Sequence, residues 1–175
     1  MTLPNLITII RLLLVPAIVS MILSGEWLSA FILFTIAGIS DGVDGYIARR
    51  FDMKSELGSY LDALADKILL VTIYGSLAIQ GVLPMWLAVI VIFRDVLILI
   101  AIVLSWLLAR PVTIRPLRIS KVNTAAQIAL AAVSLGFLGL GIAQPQIITL
   151  GVLTVAALTG LSAGAYLLGW LRHMA

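Results

Sequence analysis

Ser40-Asp41-Gly42-Val43-Asp44-Gly45-Tyr46-Ile47-Ala48-Arg49 is followed, after eight intervening residues, by Gly58-Ser59-Tyr60-Leu61-Asp62-Ala63-Leu64-Ala65-Asp66-Lys67. Together they set four carboxylates at the inner ends of two apolar stretches. Asp41 and Asp44 are three residues apart and Asp62 and Asp66 four apart, so on helices each pair shares a face. The connection between them is short, which makes the two helices antiparallel. Asp41 and Asp44 then lie in the last turns of one helix, and Asp62 and Asp66 in the first turns of the next. The four carboxylates are expected to face one another at a single depth.

The surroundings of this hairpin set the fold class. The chain is 62% hydrophobic and 11% charged, whereas a soluble domain carries about half apolar and about one quarter charged residues. The apolar residues form long runs rather than stripes, so lipid is the expected solvent. A hydrocarbon core of about 30 Å needs about 20 helical residues. Six segments qualify, at residues 4–23, 27–49, 58–80, 84–109, 122–143 and 146–171. The breaks carry turn chemistry at Ser24-Gly25-Glu26, Gly81 to Pro84, Pro111 to Pro116 and Gln144-Pro145-Gln146. The predicted fold is an all-α membrane protein with six transmembrane helices, residues 1–175 forming one membrane domain. Arg11 interrupts the first apolar run and no small-residue cleavage site follows it, so this run reads as a span rather than a cleaved signal.

Basic residues orient the spans. Arg49, Arg50 and Lys54 lie between spans two and three; Arg110, Arg115, Arg118 and Lys121 lie between four and five; Arg172 is in the tail. The three opposite loops hold no Lys or Arg. Positive-inside bias places both termini and both basic loops in the cytoplasm. The acidic hairpin is thus expected near the cytoplasmic, or matrix-equivalent, face of a membrane such as the bacterial inner membrane. Small residues at Gly136, Gly139, Gly141, Gly160, Ala163 and Gly164 let helices approach closely, within the chain or across a dimer.

Elimination narrows the chemistry. Cysteine is absent and His173 is the only histidine, three residues from the end. A Ser-His-Asp hydrolase, a zinc-histidine site and a paired-histidine mechanism each need imidazole that the chain lacks elsewhere. Four Asp in a membrane are also costly, at about 2.5–3.5 kcal/mol each at mid-helix. Lys67, Arg49 and Arg11 offset part of this. Four converging oxygen donors are the natural cage for a hard divalent cation, Mg²⁺ or Mn²⁺ before Ca²⁺. Two such ions would clamp a diphosphate. A cation pathway in a small transporter, or a structural ion-pair network, are the other readings of intramembrane acids. Neither accounts for four of them in one hairpin. Gly45 and Gly58 fit either close approach of a ligand to backbone or plain helix packing.

The spacing D-x-x-D-G-x-x-A-R, eight residues, G-x-x-x-D-x-x-x-D resembles that of the CDP-alcohol phosphotransferases, at Asp41, Asp44, Gly45, Ala48, Arg49, Gly58, Asp62 and Asp66. Every fixed position of the pattern is present. The resemblance implies a six-helix membrane enzyme, metal ligation by Asp41, Asp44, Asp62 and Asp66, and a general-base role for Asp66. It also implies contacts to the CDP-lipid from Gly45, Ala48, Gly58 and Arg49, and from Asn5, Thr8 and Arg11 in the first helix. A homodimer is implied as well, with no nucleic-acid partner.

The acceptor is harder to read. Arg94 and Asp95 fall in span four, and Arg115, Arg118 and Lys121 gather at the cytoplasmic end. Basic groups there suit a phosphate on the incoming alcohol; Arg94 with Asp95 also suits a structural pair, and Lys121 an interface anchor. The stretches Phe93-Arg94-Asp95-Val96 and Ile119-Ser120-Lys121-Val122-Asn123-Thr124-Ala125-Ala126-Gln127, with Ala163-Gly164-Ala165-Tyr166 more loosely, resemble the CMP-forming cardiolipin synthases within that family. That resemblance implies CDP-diacylglycerol as donor and phosphatidylglycerol as acceptor. A phosphatidylglycerophosphate synthase, using glycerol 3-phosphate, is the alternative.

Overall fold

The computed structural model describes the backbone of residues 3–50, 56–107 and 118–174, and the side chains of residues 8–42, 64–98, 100, 107 and 118–171. Six α-helices make up the regular structure of the described residues: α1 (Leu3–Leu23), α2 (Trp27–Arg50), α3 (Glu56–Ile79), α4 (Met85–Leu107), α5 (Arg118–Gly139) and α6 (Pro145–Met174). Leu, Ile and Ala dominate them, and proline sits where it does least harm, in the first turns of α1 and α6. Pro16 is the exception, and α1 continues through it. Helix α5 begins and ends about a turn earlier than the apolar run alone suggests. Arg118 to Lys121 join it as a polar first turn, and the chain leaves it through a glycine cap before the apolar residues run out.

Helices α1, α3 and α5 stop in the same way. Gly25, Gly81 and Gly141 take positive φ values of 75°, 71° and 66°, a conformation open to glycine and strained for other residues. After α1 the Gly25 N–H donates to the Ile22 carbonyl (3.1 Å) and the Glu26 N–H to Met21 (2.8 Å). After α3 Gly81 donates to Ala78 and Val82 to Leu77; after α5 Gly141 donates to Leu138 and Ile142 to Phe137. Each is a Schellman closure, which satisfies carbonyls the helix end leaves unpaired. All three close the loops that lack Lys and Arg.

The chain divides into two compact units. Met1–Val82 with Ala131–Gln144 form the first. There α1 packs against both α2 and α3, burying Val15, Ile18 and Ile22, Ala30, Phe34 and Ala37, and Ile73, Tyr74 and Leu77. The Gln80 side-chain amide donates to the carbonyls of Ile22 (2.9 Å) and Leu23 (2.7 Å), so the end of α3 also caps α1. The last turns of α5 lie hard against α2. A Cβ built on Gly139 would sit 2.8 Å from Leu28 Cα, and one on Gly136 3.2 Å from the Phe31 ring. Overpacking of this kind costs about 1–3 kcal/mol, so Gly139 is held by backbone approach.

Leu83–Leu130 and Pro145–Ala175 form the second unit, in which α4 packs against α6. Helices α5 and α6 meet in antiparallel register. Asn123 accepts a bond from Thr159 (3.0 Å), and a Cβ on Gly151 would meet Leu130 Cδ1 at 2.7 Å. Among the described residues, α5 and the Pro145–Leu171 part of α6 are long and apolar enough to cross a membrane. Large apolar side chains also stand exposed on all six helices, among them Leu13, Ile39, Leu64, Phe93, Val122 and Leu150. Exposed large apolar side chains on every helix are unusual for a protein facing water.

Candidate metal centre and polar core

The first site is built where α1 meets its two neighbours. Because α1 packs on both α2 and α3, a residue on its inner face reaches the C-terminal half of one and the N-terminal half of the other. Arg11 is that residue, with 1% of its side chain exposed. Its Nη1 lies 2.6 Å from Asp41 Oδ1 on α2 and 2.9 Å from Asp66 Oδ1 on α3. Thr8, one turn earlier on the same face, is also buried. The two carboxylates are less enclosed, at 44% and 47% exposed. A buried guanidinium is strongly disfavoured without partners, and here it has acids from two helices.

The structure thus brings Asp41 and Asp66 to one point, although they are far apart in sequence. Helix α2 carries Asp44, Gly45, Ala48 and Arg49 in its last turns, α3 carries Gly58 and Asp62 in its first turns, and α1 carries Asn5. The side chains of these seven lie outside the described residues. Among the described residues no group of three or more His, Cys, Asp or Glu is placed to hold a metal ion. Asp41 and Asp66 supply two hard oxygen donors that already share a cation, and that donor chemistry suits Mg²⁺ or Mn²⁺.

The acceptor candidates separate. Arg94 is buried on α4, where Nη1 donates to Asp95 Oδ1 and Nη2 donates to Ser120 Oγ on α5 and to Ser162 Oγ (2.8 Å) on α6. Its guanidinium also stands 5.8 Å from the centre of the Tyr166 ring, within cation–π range. Arg94 Nε has no hydrogen-bond partner among the described residues. Arg118 and Lys121, in contrast, are exposed on the first turn of α5. Arg115 lies outside the described residues.

Sequence reasoning did not single out Ser120, Asn123, Thr159 and Ser162 as one assembly. Each of Asn123, Thr159 and Ser162 is buried. They form a polar seam down α5 and α6, Arg94 bridging Ser120 to Ser162 and Asn123 meeting Thr159 one turn on. The available signal was spacing: polar residues three apart on each of two apolar helices.

A sequence model described as CDP-alcohol phosphatidyltransferase matches residues 1–163, which include every candidate residue named above. The chain belongs to the CDP-alcohol phosphatidyltransferase family. Members of this family generally depend on a divalent metal. The chain is 39% identical over 152 residues to a probable CMP-forming cardiolipin synthase of Drosophila melanogaster, covering 78% of this chain and 47% of that protein. It is 37% identical over 150 residues to the human CMP-forming cardiolipin synthase, covering 77% and 50%. A chloroplastic CDP-diacylglycerol–glycerol-3-phosphate 3-phosphatidyltransferase of Oryza sativa is 34% identical over 152 residues, covering 77% and 46%. The chain therefore spans about half the length of these relatives.

Proposed function

We propose that this chain is an integral membrane enzyme of phospholipid biosynthesis, transferring a phosphatidyl group from CDP-diacylglycerol to the free hydroxyl of phosphatidylglycerol. The products are cardiolipin and CMP. The observation that carries the reading is the convergence of Asp41 and Asp66 on one cation, in a chain of this family. The proposal includes six transmembrane spans in one domain of residues 1–175, both termini cytoplasmic, and a homodimer. The apolar exposed surface and the one-sided distribution of Lys and Arg support the membrane placement.

Asp41, Asp44, Asp62 and Asp66 are the residues that would hold Mg²⁺ or Mn²⁺, with two ions expected. When bound, the metal neutralises the diphosphate and polarises the phosphorus under attack. The chain's own groups do the rest. Arg49, with Asn5, Thr8 and Arg11, holds the CDP end, against a wall from Gly45, Ala48 and Gly58. Asp66 accepts the proton of the acceptor hydroxyl as its oxygen bonds to the lipid-side phosphorus. The bond from that phosphorus to the bridging oxygen breaks, and the electron pair leaves with CMP. Arg115, Arg118 and Lys121 are assigned to the acceptor's phosphate, and the exposure of Arg118 and Lys121 on the first turn of α5 supports this for those two. Arg94 is assigned to the same acceptor end, buried against Asp95, Ser120 and Ser162.

The relatives named cardiolipin synthases favour phosphatidylglycerol as acceptor; the rice relative keeps glycerol 3-phosphate as the second reading. The two differ physically in route, since one arrives in the bilayer and the other from water. Purified protein in detergent is expected to convert CDP-diacylglycerol and phosphatidylglycerol to cardiolipin and CMP, followed by mass spectrometry of the lipids, and to ignore glycerol 3-phosphate. Lys121→Ala should raise the apparent KM for phosphatidylglycerol by about tenfold or more, as loss of a charged hydrogen bond implies, and spare that for the donor. Rapid CMP release with glycerol 3-phosphate and none with phosphatidylglycerol would reassign the acceptor.

A further inference from the structure

Arg11 Nη1 stands between Asp41 Oδ1 and Asp66 Oδ1, at 2.6 and 2.9 Å. It takes the position that any cation shared by those two oxygens would occupy. Both carboxylates are close to half exposed, whereas the guanidinium between them is buried. An incoming ion therefore meets the acids from the open side and the arginine from behind.

We infer that Arg11 is the resident counter-ion of the acidic face: it holds Asp41 and Asp66 together before metal arrives, and it competes with metal for the same oxygens. Without it, two carboxylates at this separation repel each other. With it, the face is formed in advance, and each step of metal loading must weaken a guanidinium contact. Metal affinity is set by an exchange of cations rather than by the carboxylates alone. The inference rests on the proposed metal centre. It differs in sign from a purely positioning role, in which losing Arg11 would let the carboxylates part and weaken metal binding.

Calorimetric titration of Mn²⁺ into the full chain in detergent, without nucleotide or lipid substrate, separates these cases. Arg11→Gln keeps a hydrogen-bonding side chain of similar reach and removes the charge. It is expected to bind Mn²⁺ about 10- to 100-fold more tightly than the unaltered protein, as removal of a neighbouring positive charge predicts. Mn²⁺ should also raise its unfolding temperature by more than that of the unaltered protein. Arg11→Lys retains the charge as a point ammonium that lacks the planar fork, and its affinity should fall between the two. Should Arg11→Gln not fold, the Arg11→Lys comparison decides alone. Equal or weaker Mn²⁺ binding in the folded variants, with clear binding to the unaltered protein, overturns the inference and leaves the metal centre standing. Binding to none of the three proteins overturns both.

Discussion

Asp41→Asn is expected to lower cardiolipin formation by about 10³-fold, the rate equivalent of about 4 kcal/mol, and to raise the Mn²⁺ concentration needed for what activity remains. The substitution keeps size and hydrogen bonding but removes a charge from the acidic face. It also takes the charge from the 2.6 Å ion-pair partner of Arg11, so the loss should exceed that of an ordinary surface acid. Asp62→Asn should behave alike if the four acids form one centre. Chelation of the unaltered protein should abolish turnover, and Mg²⁺ or Mn²⁺ should restore it. Glu26→Gln is the control, since Glu26 is exposed in the α1–α2 turn, outside the acidic hairpin. The reading is assayed by CMP release under saturating lipid. Asp41→Asn protein that keeps full activity in excess chelator would refute the metal centre.

Asp66→Asn is expected to produce a different failure. A positioned general base contributes about 10²- to 10⁴-fold, and that factor acts on turnover rather than on donor binding. The variant should therefore lose kcat by this amount while CDP-diacylglycerol still binds within about threefold of normal, the smaller residual effect reflecting one lost charge among four. Donor affinity by titration and kcat by CMP release must be measured on the same preparation. Parallel loss of both would make Asp66 chiefly a ligand, and the base would have to be sought elsewhere.

Much of the helical layout is legible in the sequence because the breaks between helices carry their own chemistry. Gly25 and Gly81 stand at turns that need a positive φ, and Pro84 and Pro145 flank helix starts. Helix α5 shows where this reading fails. Its charged first residues look like loop when judged by apolarity, yet a helix emerging at a membrane surface can carry a polar turn. At the other end, Gly136 and Gly139 mark a close helix approach in the sequence, but that the helix they admit is α2 shows only in the packing. Long-range partners are less legible. The sequence puts Asp41 and Asp66 on adjoining helices, but Arg11 comes to them from a third, and only packing of α1 on both fixes that meeting. Arg94 illustrates the same limit: its neighbour Asp95 is visible in the chain, whereas Ser120 and Ser162 reach it from two other helices. Gln80 reads in the sequence as an ordinary polar end residue, whereas its amide donates to the last carbonyls of α1.

The metal centre is tested by locating Mn²⁺, by anomalous scattering from crystals of the full chain grown with Mn²⁺ and CDP-diacylglycerol. Anomalous peaks are expected bounded by Asp41, Asp44, Asp62 and Asp66, with the donor diphosphate against them and at least one Arg11 contact to these acids lengthened. Mn²⁺ bound elsewhere, with Arg11 still bridging Asp41 and Asp66 in the presence of the donor, would contradict that centre.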